Sequence, residues 1–331
     1  MQSRDPLAAA LAVLLSGAFL GGALPSTPPA LTFARINEKS VEVLDLKRGT
    51  WRPIYRESER WITDLGVAPS GDRIAFLAWT KGAVTGVDYS VQPRAELTVI
   101  DSAGRSLAAV PDVHKYDWCG SDRVAYIQGV YSEDSDWGFR PDGRWGLLEI
   151  ASGKTTPLGG LQYPRAVAWN PLDRAVYLRA GMESPAIYRV DLATGTPAPT
   201  RLHDIHFSPS GRFYLSQPLE LGTDSTQLYD TGTNTRLDIS SFIRKAGLVG
   251  WVGPGDVLLA VRRVPPPARK PGEPGIRPIR PSDIRPQRYL LYRPTDGRVM
   301  AEEEGFLHEW AGPEERRLLR QGDSYRVLEG R

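Results

Sequence analysis

The chain has 331 residues, 41% of them apolar, which is enough for one large domain or two ordinary ones. Its 41 basic and 39 acidic residues balance, which excludes a global attraction to nucleic acid. A single cysteine, Cys119, excludes an internal disulfide, and no cluster of Cys and His residues has zinc-ligand spacing. Cys119 follows Trp118 and is predicted to be a small buried core residue.

The N-terminal residues differ in composition from the rest of the chain. Residues 7–24 contain no charge, and the proline-rich break 25–30 follows them. This pattern is typical of an export signal, with small residues at Gly21–Ala23 where cleavage would occur. The apolar run is at the lower limit for crossing a bilayer, so an uncleaved membrane anchor is the alternative. Either interpretation places residues 31–331 outside the cytoplasm, as a periplasmic, secreted or membrane-anchored domain.

A short pattern recurs along residues 31–331. Each copy has a large apolar anchor residue, a turn rich in Pro, Gly, Asp and Ser, and then an apolar strand. The anchors are spaced 38 to 59 residues apart, at Val67, Trp118, Trp169, Phe207, Trp251 and Trp310. We expect these anchors to pack between neighbouring repeat units.

Further short strands with alternating apolar residues follow each copy, so each unit is predicted to be four antiparallel strands. Units of this kind, about 40–50 residues long, form the blades of a β-propeller. The prediction is therefore an all-β propeller in a single domain. The strand after the anchor turn occurs seven times if Leu31–Ile36 is included, which favours seven blades. The first unit lacks its innermost strand and the last, Phe306–Arg331, its outermost, so six blades with the two ends sharing one is the alternative.

Two copies carry a family resemblance. The stretch Phe207-Ser208-Pro209-Ser210-Gly211-Arg212 and the stretch Pro69–Phe76 resemble the TolB-like (WD40-like) propeller repeat, although Ser replaces the usual Asp in both. The resemblance covers nearly all of residues 31–331 and implies a propeller fold. Such repeats occur in periplasmic scaffold proteins, and a similar propeller precedes the hydrolase domain of prolyl-oligopeptidase-type enzymes, for which this chain has no room.

The repeat also assigns a role to two serines. Ser208 and Ser210 lie in a turn that recurs in other copies, and the G-x-S-x-G elbow of α/β-hydrolases is absent here. A catalytic nucleophile would not be expected at the same turn position of several repeats, so both serines are predicted to be structural.

Polar residues near the innermost strands could form a site at the central channel. The candidates are Asp64, Asp117, Asp204, His206 and Glu309. One interpretation is a divalent-cation or polar-ligand site at the channel mouth. The other is a set of strand-end groups that satisfy the backbone and hold water. Gly66, Ala168 and Gly250 interrupt the series at matching positions, which argues against a regular metal site.

Three long insertions, Lys81–Arg94, Tyr131–Arg144 and Val264–Gln287, are predicted to join the second and third strands of their units. They would then project from a single face, and long loops on a rigid scaffold usually mark a binding side. Trp137 and Phe139 in the acidic second loop could contact a peptide or a sugar. The third loop is rich in Pro and Arg, and four of its residues could contact an acidic partner or an anionic surface: Arg269, Lys270, Arg277 and Arg280.

These observations favour a non-catalytic, exported propeller that binds a protein, a ligand or a cell-envelope component through its loops. We expect a monomer without a resident cofactor and without a nucleic-acid partner. The alternative is a propeller enzyme, a lactonase- or lyase-like protein that uses a divalent metal in its central channel.

Overall fold

The computed structural model describes residues 32–80, 94–130, 140–181, 185–216, 226–243, 246–262, 286–308, 312, 316–321 and 324–328. Residues Leu31–Arg331 form one compact unit. Within the described ranges the fold is all-β, and its one helix is the four-residue α1 (Ser240–Ile243). None of the described helices is long and apolar enough to span a membrane.

The described strands form six antiparallel sheets, in which strands adjacent in sequence are paired. Sheet 1 contains β1 (Ala34–Asn37), β2 (Ser40–Asp45) and β3 (Thr50–Arg56). Sheet 2 contains β4 (Trp61–Val67), β5 (Arg73–Trp79), β6 (Ala95–Asp101) and β7 (Ser106–Pro111). Sheet 3 contains β8 (Val113–Trp118), β9 (Arg123–Val130), β10 (Arg140–Glu149) and β11 (Lys154–Leu158).

The remaining three sheets continue the same order. Sheet 4 contains β12 (Pro164–Asn170), β13 (Ala175–Ala180), β14 (Ala186–Val190) and β15 (Pro197–Pro199). Sheet 5 contains β16 (His206–Phe207), β17 (Phe213–Ser216), β18 (Gln227–Asp230) and β19 (Arg236–Leu237). Sheet 6 contains β20 (Ala246–Val252), β21 (Val257–Arg262), β22 (Gln287–Arg293), β23 (Arg298–His308), β24 (Arg317–Gln321) and β25 (Ser324–Leu328).

The sheets are the blades of a β-propeller, and the alternative count of six blades fits the number of sheets in the described part of the chain. The prediction of seven separate blades is wrong for the described part of the chain, which forms six sheets. The reason is strand β23, whose first part pairs with β22 while its last residues, Phe306–His308, pair with β24. The innermost strand expected to begin a seventh unit is therefore the continuation of an outer strand of the sixth sheet.

The core lies between successive sheets, and the ring closes between the chain ends of this unit. Trp118 packs between sheets 2 and 3, and Trp251 packs between sheets 5 and 6, as the repeat predicts. Phe33 and Leu44 of the first sheet region pack against Leu318 of β24, which joins the last strands to the first sheet. Sheet 1 has three strands and lacks an innermost one, as expected.

In sheets 2 to 6 the anchor turns join the first and second strands, and some of them link neighbouring sheets. The Asn170 side chain donates a hydrogen bond to the carbonyl of Gly211 (3.2 Å), across from sheet 4 to sheet 5. Gly211 has φ +78°, and an added Cβ would lie 1.9 Å from the Asn170 Oδ1 atom, so this corner requires glycine. Ser208 is buried and its hydroxyl accepts a hydrogen bond from the Phe213 N–H (3.1 Å), which is a structural role.

Candidate functional site in the central cavity

A cavity of about 860 Å³ lies where the first strands of the sheets converge. Strands β4, β8, β12 and β16 contribute their C-terminal ends, and the following anchor turns contribute Pro69, Pro171 and Pro209. Sheet 6 contributes Val249, Leu307 and the start of β24. The size is that of a small-molecule site.

The described strand ends that the long insertions connect lie away from the cavity. Each first strand runs toward its anchor turn, and the second strand runs back, so the connection to the third strand leaves from the far end. The insertions do fall between second and third strands: residues 81–93 lie between β5 and β6, 131–139 between β9 and β10, and 263–285 between β21 and β22. The cavity is therefore a different surface from the one predicted for the insertions.

Asp64 enters the cavity from an irregular point in β4. The pairing of β4 with β5 shifts between Thr63 and Gly66, which is a β-bulge, and Asp64 has φ +47° there. Asp is one of the few residues that tolerate this conformation, and the carbonyl of Asp64 accepts a hydrogen bond from the Tyr116 hydroxyl of the next sheet. Backbone outliers of this kind cluster at functional sites.

Tyr116 and Gly66 fit together across the boundary between sheets 2 and 3. The Tyr116 hydroxyl also lies 2.8 Å from the carbonyl of Ala75. A Cβ at Gly66 would lie 3.2 Å from that hydroxyl oxygen and 3.3 Å from Trp118 Nε1, so the absence of a side chain at Gly66 makes room for both rings. Burial, together with the nearby carboxylates of Asp64 and Asp117, raises the pKa of Tyr116 well above its ordinary value. Tyr116 is therefore neutral and fixed in place.

Asp117 is held by the backbone. Its carboxylate accepts hydrogen bonds from the N–H of Trp118 (2.8 Å) and from the N–H of Trp169 in the next sheet (2.7 Å). Charged acceptors of backbone N–H groups make strong hydrogen bonds. Asp117 thus ties β8 to β12 at the wall of the cavity.

Trp118 contributes a donor without a partner. Its side chain is 8% exposed and lines the cavity, and Nε1 has no hydrogen-bond partner among the described residues. Unpaired buried donors are rare in native structures, and each one calls for an explanation, such as a ligand or a bound water.

Three cationic side chains of the described residues line the cavity. Lys115 projects from β8, and no described carboxylate pairs with it. Arg316 precedes β24, and Arg317 is the first residue of that strand. The Arg317 Nε atom lies 3.5 Å from the carbonyl of Trp251, which holds its side chain toward sheet 6.

Aromatic rings complete the wall. Trp169 and Phe207 both line the cavity and pack against the cores between sheets 3 and 4 and between sheets 4 and 5. The Phe207 ring makes an edge contact with Tyr177 at 4.9 Å between centroids, so its orientation is fixed. A fixed ring offers a flat apolar face to a ligand.

The structure brings together two of the five predicted channel residues. Asp64 and Asp117 line the cavity. Asp204 and His206 do not: Asp204 accepts a hydrogen bond from the N–H of Ile205 (2.8 Å), and the His206 side chain is exposed. Glu309 lies outside the described residues. Within the described ranges no three His, Cys, Asp or Glu side chains are grouped closely enough to hold a metal ion.

The predicted loop residues cannot be placed in this way. All six lie outside the described residues: Trp137, Phe139, Arg269, Lys270, Arg277 and Arg280.

The cavity also contains residues that the sequence did not single out. Lys115 occupies the same position relative to its anchor as Asp64 and Asp204, three residues before it, which is a signal that could have been used. No comparable spacing relative to an anchor identifies Arg316 and Arg317, because they lie after the last anchor position and not on a first strand.

No protein-family model and no curated protein matches the sequence. Solved structures do share the fold. An oligogalacturonate lyase in complex with manganese is 12% identical with a TM-score of 0.52, over 70% of this chain and 70% of that chain. The oligogalacturonate lyase of Vibrio parahaemolyticus is 12% identical with a TM-score of 0.51, over 70% and 71%. A chain of the mitotic checkpoint complex is 9% identical with a TM-score of 0.50, over 89% and 85%.

At such low sequence identity, the structural similarity shows the fold alone. The propeller that the repeat predicts is confirmed, and the resemblance to TolB-like (WD40-like) propellers holds at the level of the fold.

Proposed function

We propose that this chain is a non-catalytic binding propeller and that its central cavity is a ligand site. The observation that supports the proposal most directly is the cavity itself, about 860 Å³ in volume and lined by fixed aromatic rings and charged side chains. Concave sites with a few convergent polar groups are the usual places of ligand binding.

The state of the carboxylates favours binding over chemistry. Asp117 is engaged by two backbone N–H groups, and Asp64 is held in a bulge whose carbonyl is bonded to Tyr116. Neither carboxylate belongs to a group of three or more potential metal ligands among the described residues. The engagement of Asp117 by two backbone N–H groups supports a role for this wall in recognition.

A matched pair of variants tests the cavity. Val249 lines it and is 41% exposed, whereas Val299 on β23 is 51% exposed and lies elsewhere. Both side chains can be enlarged without entering the core. We expect ligands found by ligand-observed NMR, in mixtures of sugars, organic acids and short peptides, to be lost with Val249→Trp and kept with Val299→Trp. Ligands that bind both variants equally would move the site away from the cavity.

The insertion loops remain a second proposed binding surface. Their acidic-aromatic and Pro/Arg-rich sequences fit contacts with a protein or a cell-envelope component. Deleting 264–287 should abolish capture of such a partner without unfolding the ring. A deletion variant that keeps its partner would remove this loop from the proposal.

Export is also proposed from the sequence of residues 7–24. Cell fractionation with intact mass of the purified protein tests it. A mass that corresponds to a chain beginning near Leu24 indicates cleavage. A full-length chain in the membrane fraction indicates an anchor. Recovery of the full-length chain in the cytoplasm would contradict export.

The second candidate function is a lyase. It is favoured by two structural neighbours described as oligogalacturonate lyases, one of them in complex with manganese. A lyase would produce a carbon–carbon double bond conjugated to a carboxylate, which absorbs in the ultraviolet. Incubation with oligogalacturonate, with and without Mn²⁺, should give no rise in absorbance if the binding proposal is right. A metal-dependent rise would replace that proposal with the enzyme.

A further inference from the structure

We infer that the ligand of the central cavity is a small zwitterion, such as an amino acid, whose ammonium group binds Asp64 and whose carboxylate binds Lys115. This inference rests on the proposed function and specifies the chemistry of the same site. The supporting observation is a pair of side chains of opposite charge on neighbouring first strands of the cavity wall.

Asp64 and Lys115 occupy matching positions in neighbouring sheets. Each lies three residues before the anchor of its own repeat, Val67 or Trp118. Asp64 belongs to β4 of sheet 2 and Lys115 to β8 of sheet 3, and both line the cavity. The hydroxyl of Tyr116, which follows Lys115 in the chain, donates to the carbonyl of Asp64, so the two strands adjoin at this point of the wall.

Neither charge is paired within the described part of the chain. The Asp64 carboxylate accepts a hydrogen bond from the Thr63 hydroxyl (3.2 Å) and forms no ion pair with a described residue. Lys115 forms no ion pair with a described carboxylate, and both side chains are exposed. Asp117, by contrast, is engaged by two backbone N–H groups. Asp64 and Lys115 are therefore available to ligand groups of opposite sign.

The backbone fixes Asp64 before a ligand arrives. It lies at the β-bulge of β4 with φ +47°, a left-handed conformation that residues with a Cβ atom rarely adopt. The bond from the Tyr116 hydroxyl to its carbonyl holds it there. Bulges re-aim side chains, and strained residues cluster at functional sites. The strain is found where the side chain meets the cavity, which favours a binding role over that of an ordinary surface carboxylate.

The two signs together select the class of ligand. A ligand with a single charge gains one contact and is repelled by the other side chain, whereas a zwitterion pairs with both. In an α-amino acid the ammonium and carboxylate groups are attached to the same carbon atom, so they can reach side chains on adjoining strands. Trp169 and Phe207 line the same cavity, and an apolar side chain of the ligand can pack on their rings.

Three probes that share a phenyl ring separate the two contacts: L-phenylalanine, phenethylamine and 3-phenylpropionate. The amine lacks the carboxylate, and the acid lacks the ammonium group. We expect titration calorimetry and saturation-transfer NMR on the full-length protein, at pH 7 and low salt, to show L-phenylalanine binding at least about tenfold tighter than either analogue. Each charge-assisted contact is worth about that factor.

Two variants assign the contacts. Asp64→Asn removes the charge but keeps the size and tolerates the left-handed backbone, so the bulge is retained. It should weaken L-phenylalanine and phenethylamine at least about tenfold and leave 3-phenylpropionate no weaker. Lys115→Met should weaken L-phenylalanine and 3-phenylpropionate by the same factor and leave phenethylamine no weaker. Glu59→Gln and Lys154→Gln remove exposed charges of the same signs outside the cavity lining and should change nothing.

The two proposals fail in different ways. L-phenylalanine that binds no tighter than its analogues, or losses that do not follow the pattern of the two variants, would overturn the zwitterion inference. Failure of all three probes to bind would overturn it as well. Uncharged ligands from the wider mixtures that are lost with Val249→Trp would leave the cavity proposal intact in either case.

Discussion

The carboxylate of Asp117 accepts a hydrogen bond from the backbone N–H of Trp169, 2.7 Å away in the next sheet. The same carboxylate accepts a second bond from the N–H of Trp118. One side chain thus satisfies two backbone donors and fixes the spacing of two first strands, β8 and β12. The wall of the cavity depends on that spacing, because Trp118 and Trp169 both line it.

Asp117→Ala should therefore destabilise the propeller by about 1–3 kcal/mol, since it leaves backbone N–H groups without their acceptor. Urea unfolding followed by tryptophan fluorescence measures this. Lys115→Ala, two residues away on the same strand and exposed, should change stability by less than about 0.5 kcal/mol. Equal stability of the Asp117→Ala variant and the parent protein would contradict the bridging role.

Ser210 provides a second link between sheets. Its N–H donates to Asp256 Oδ1 at 2.9 Å, and its hydroxyl donates to the other oxygen of the same carboxylate. These bonds join the anchor turns of sheets 5 and 6. Ser210→Ala should lower stability by about 0.5–1.5 kcal/mol and leave ligand binding unchanged. Ser106→Ala, on the exposed face of β7, is the control and should be neutral. A loss of function without a loss of stability would instead identify Ser210 as a reactive residue.

The anchor turns show what sequence alone could predict. Trp118 and Trp251 pack between sheets because a large apolar residue before a tight corner can be buried only against a neighbouring unit. The buried Cys119 was predicted from the same local pattern, and burial raises the pKa of its thiol above the ordinary value.

The parts that sequence did not predict depend on distant contacts. The blade count depends on whether Phe306–His308 continues β23 or begins a new strand, and the apolar pattern is the same in both cases. The position of Arg316 and Arg317 at the cavity depends on ring closure. Closure brings β24 next to sheet 1 through the contact of Leu318 with Phe33. No local spacing encodes that closure.

Two turn glycines differ in what surrounds them, and substitution should separate strain from collision. Gly104 has φ +86°, and an added Cβ would lie 1.8 Å from the carbonyl oxygen of Ile54 in the neighbouring sheet. Gly153 has φ +66° and nothing within 4 Å of an added Cβ. Gly153→Ala should cost about 1 kcal/mol, the price of a left-handed residue, whereas Gly104→Ala should cost more than about 3 kcal/mol. Thermal unfolding of the two variants measures the difference, and equal losses would show that the collision is relieved by a shift of β3.

The contact between sheets 1 and 2 includes a partly buried ionic cluster around Glu57. Arg60 Nη2 lies 2.6 Å from Glu57 Oε1, and the Tyr55 hydroxyl donates to the same oxygen at 2.7 Å. Arg60 also pairs with Glu96 of β6 at 2.8 Å. Burial alone would raise the pKa of Glu57, but the hydrogen bonds from Arg60 and Tyr55 and the charge of Arg60 outweigh it and lower that pKa. Burial and the hydrogen bond to Glu57 raise the pKa of Tyr55 to about 12.

The lowered pKa of Glu57 predicts the direction in which the free energy of unfolding changes with pH. In the folded state Glu57 holds its proton less tightly than in the unfolded chain, where its pKa is about 4.3. Its contribution to the free energy of unfolding is therefore complete above about pH 4.3 and is lost as the pH falls through the folded-state value. Glu57→Gln should lower stability at pH 7 by about 1–3 kcal/mol and should flatten the loss of stability on acidification. Urea unfolding at pH 7, 5, 4 and 3 measures both effects, with the exposed Glu59→Gln variant as the control. A Glu57→Gln variant that loses stability with acid as steeply as the parent protein would show that other carboxylates, and not this cluster, determine the acid sensitivity of the ring.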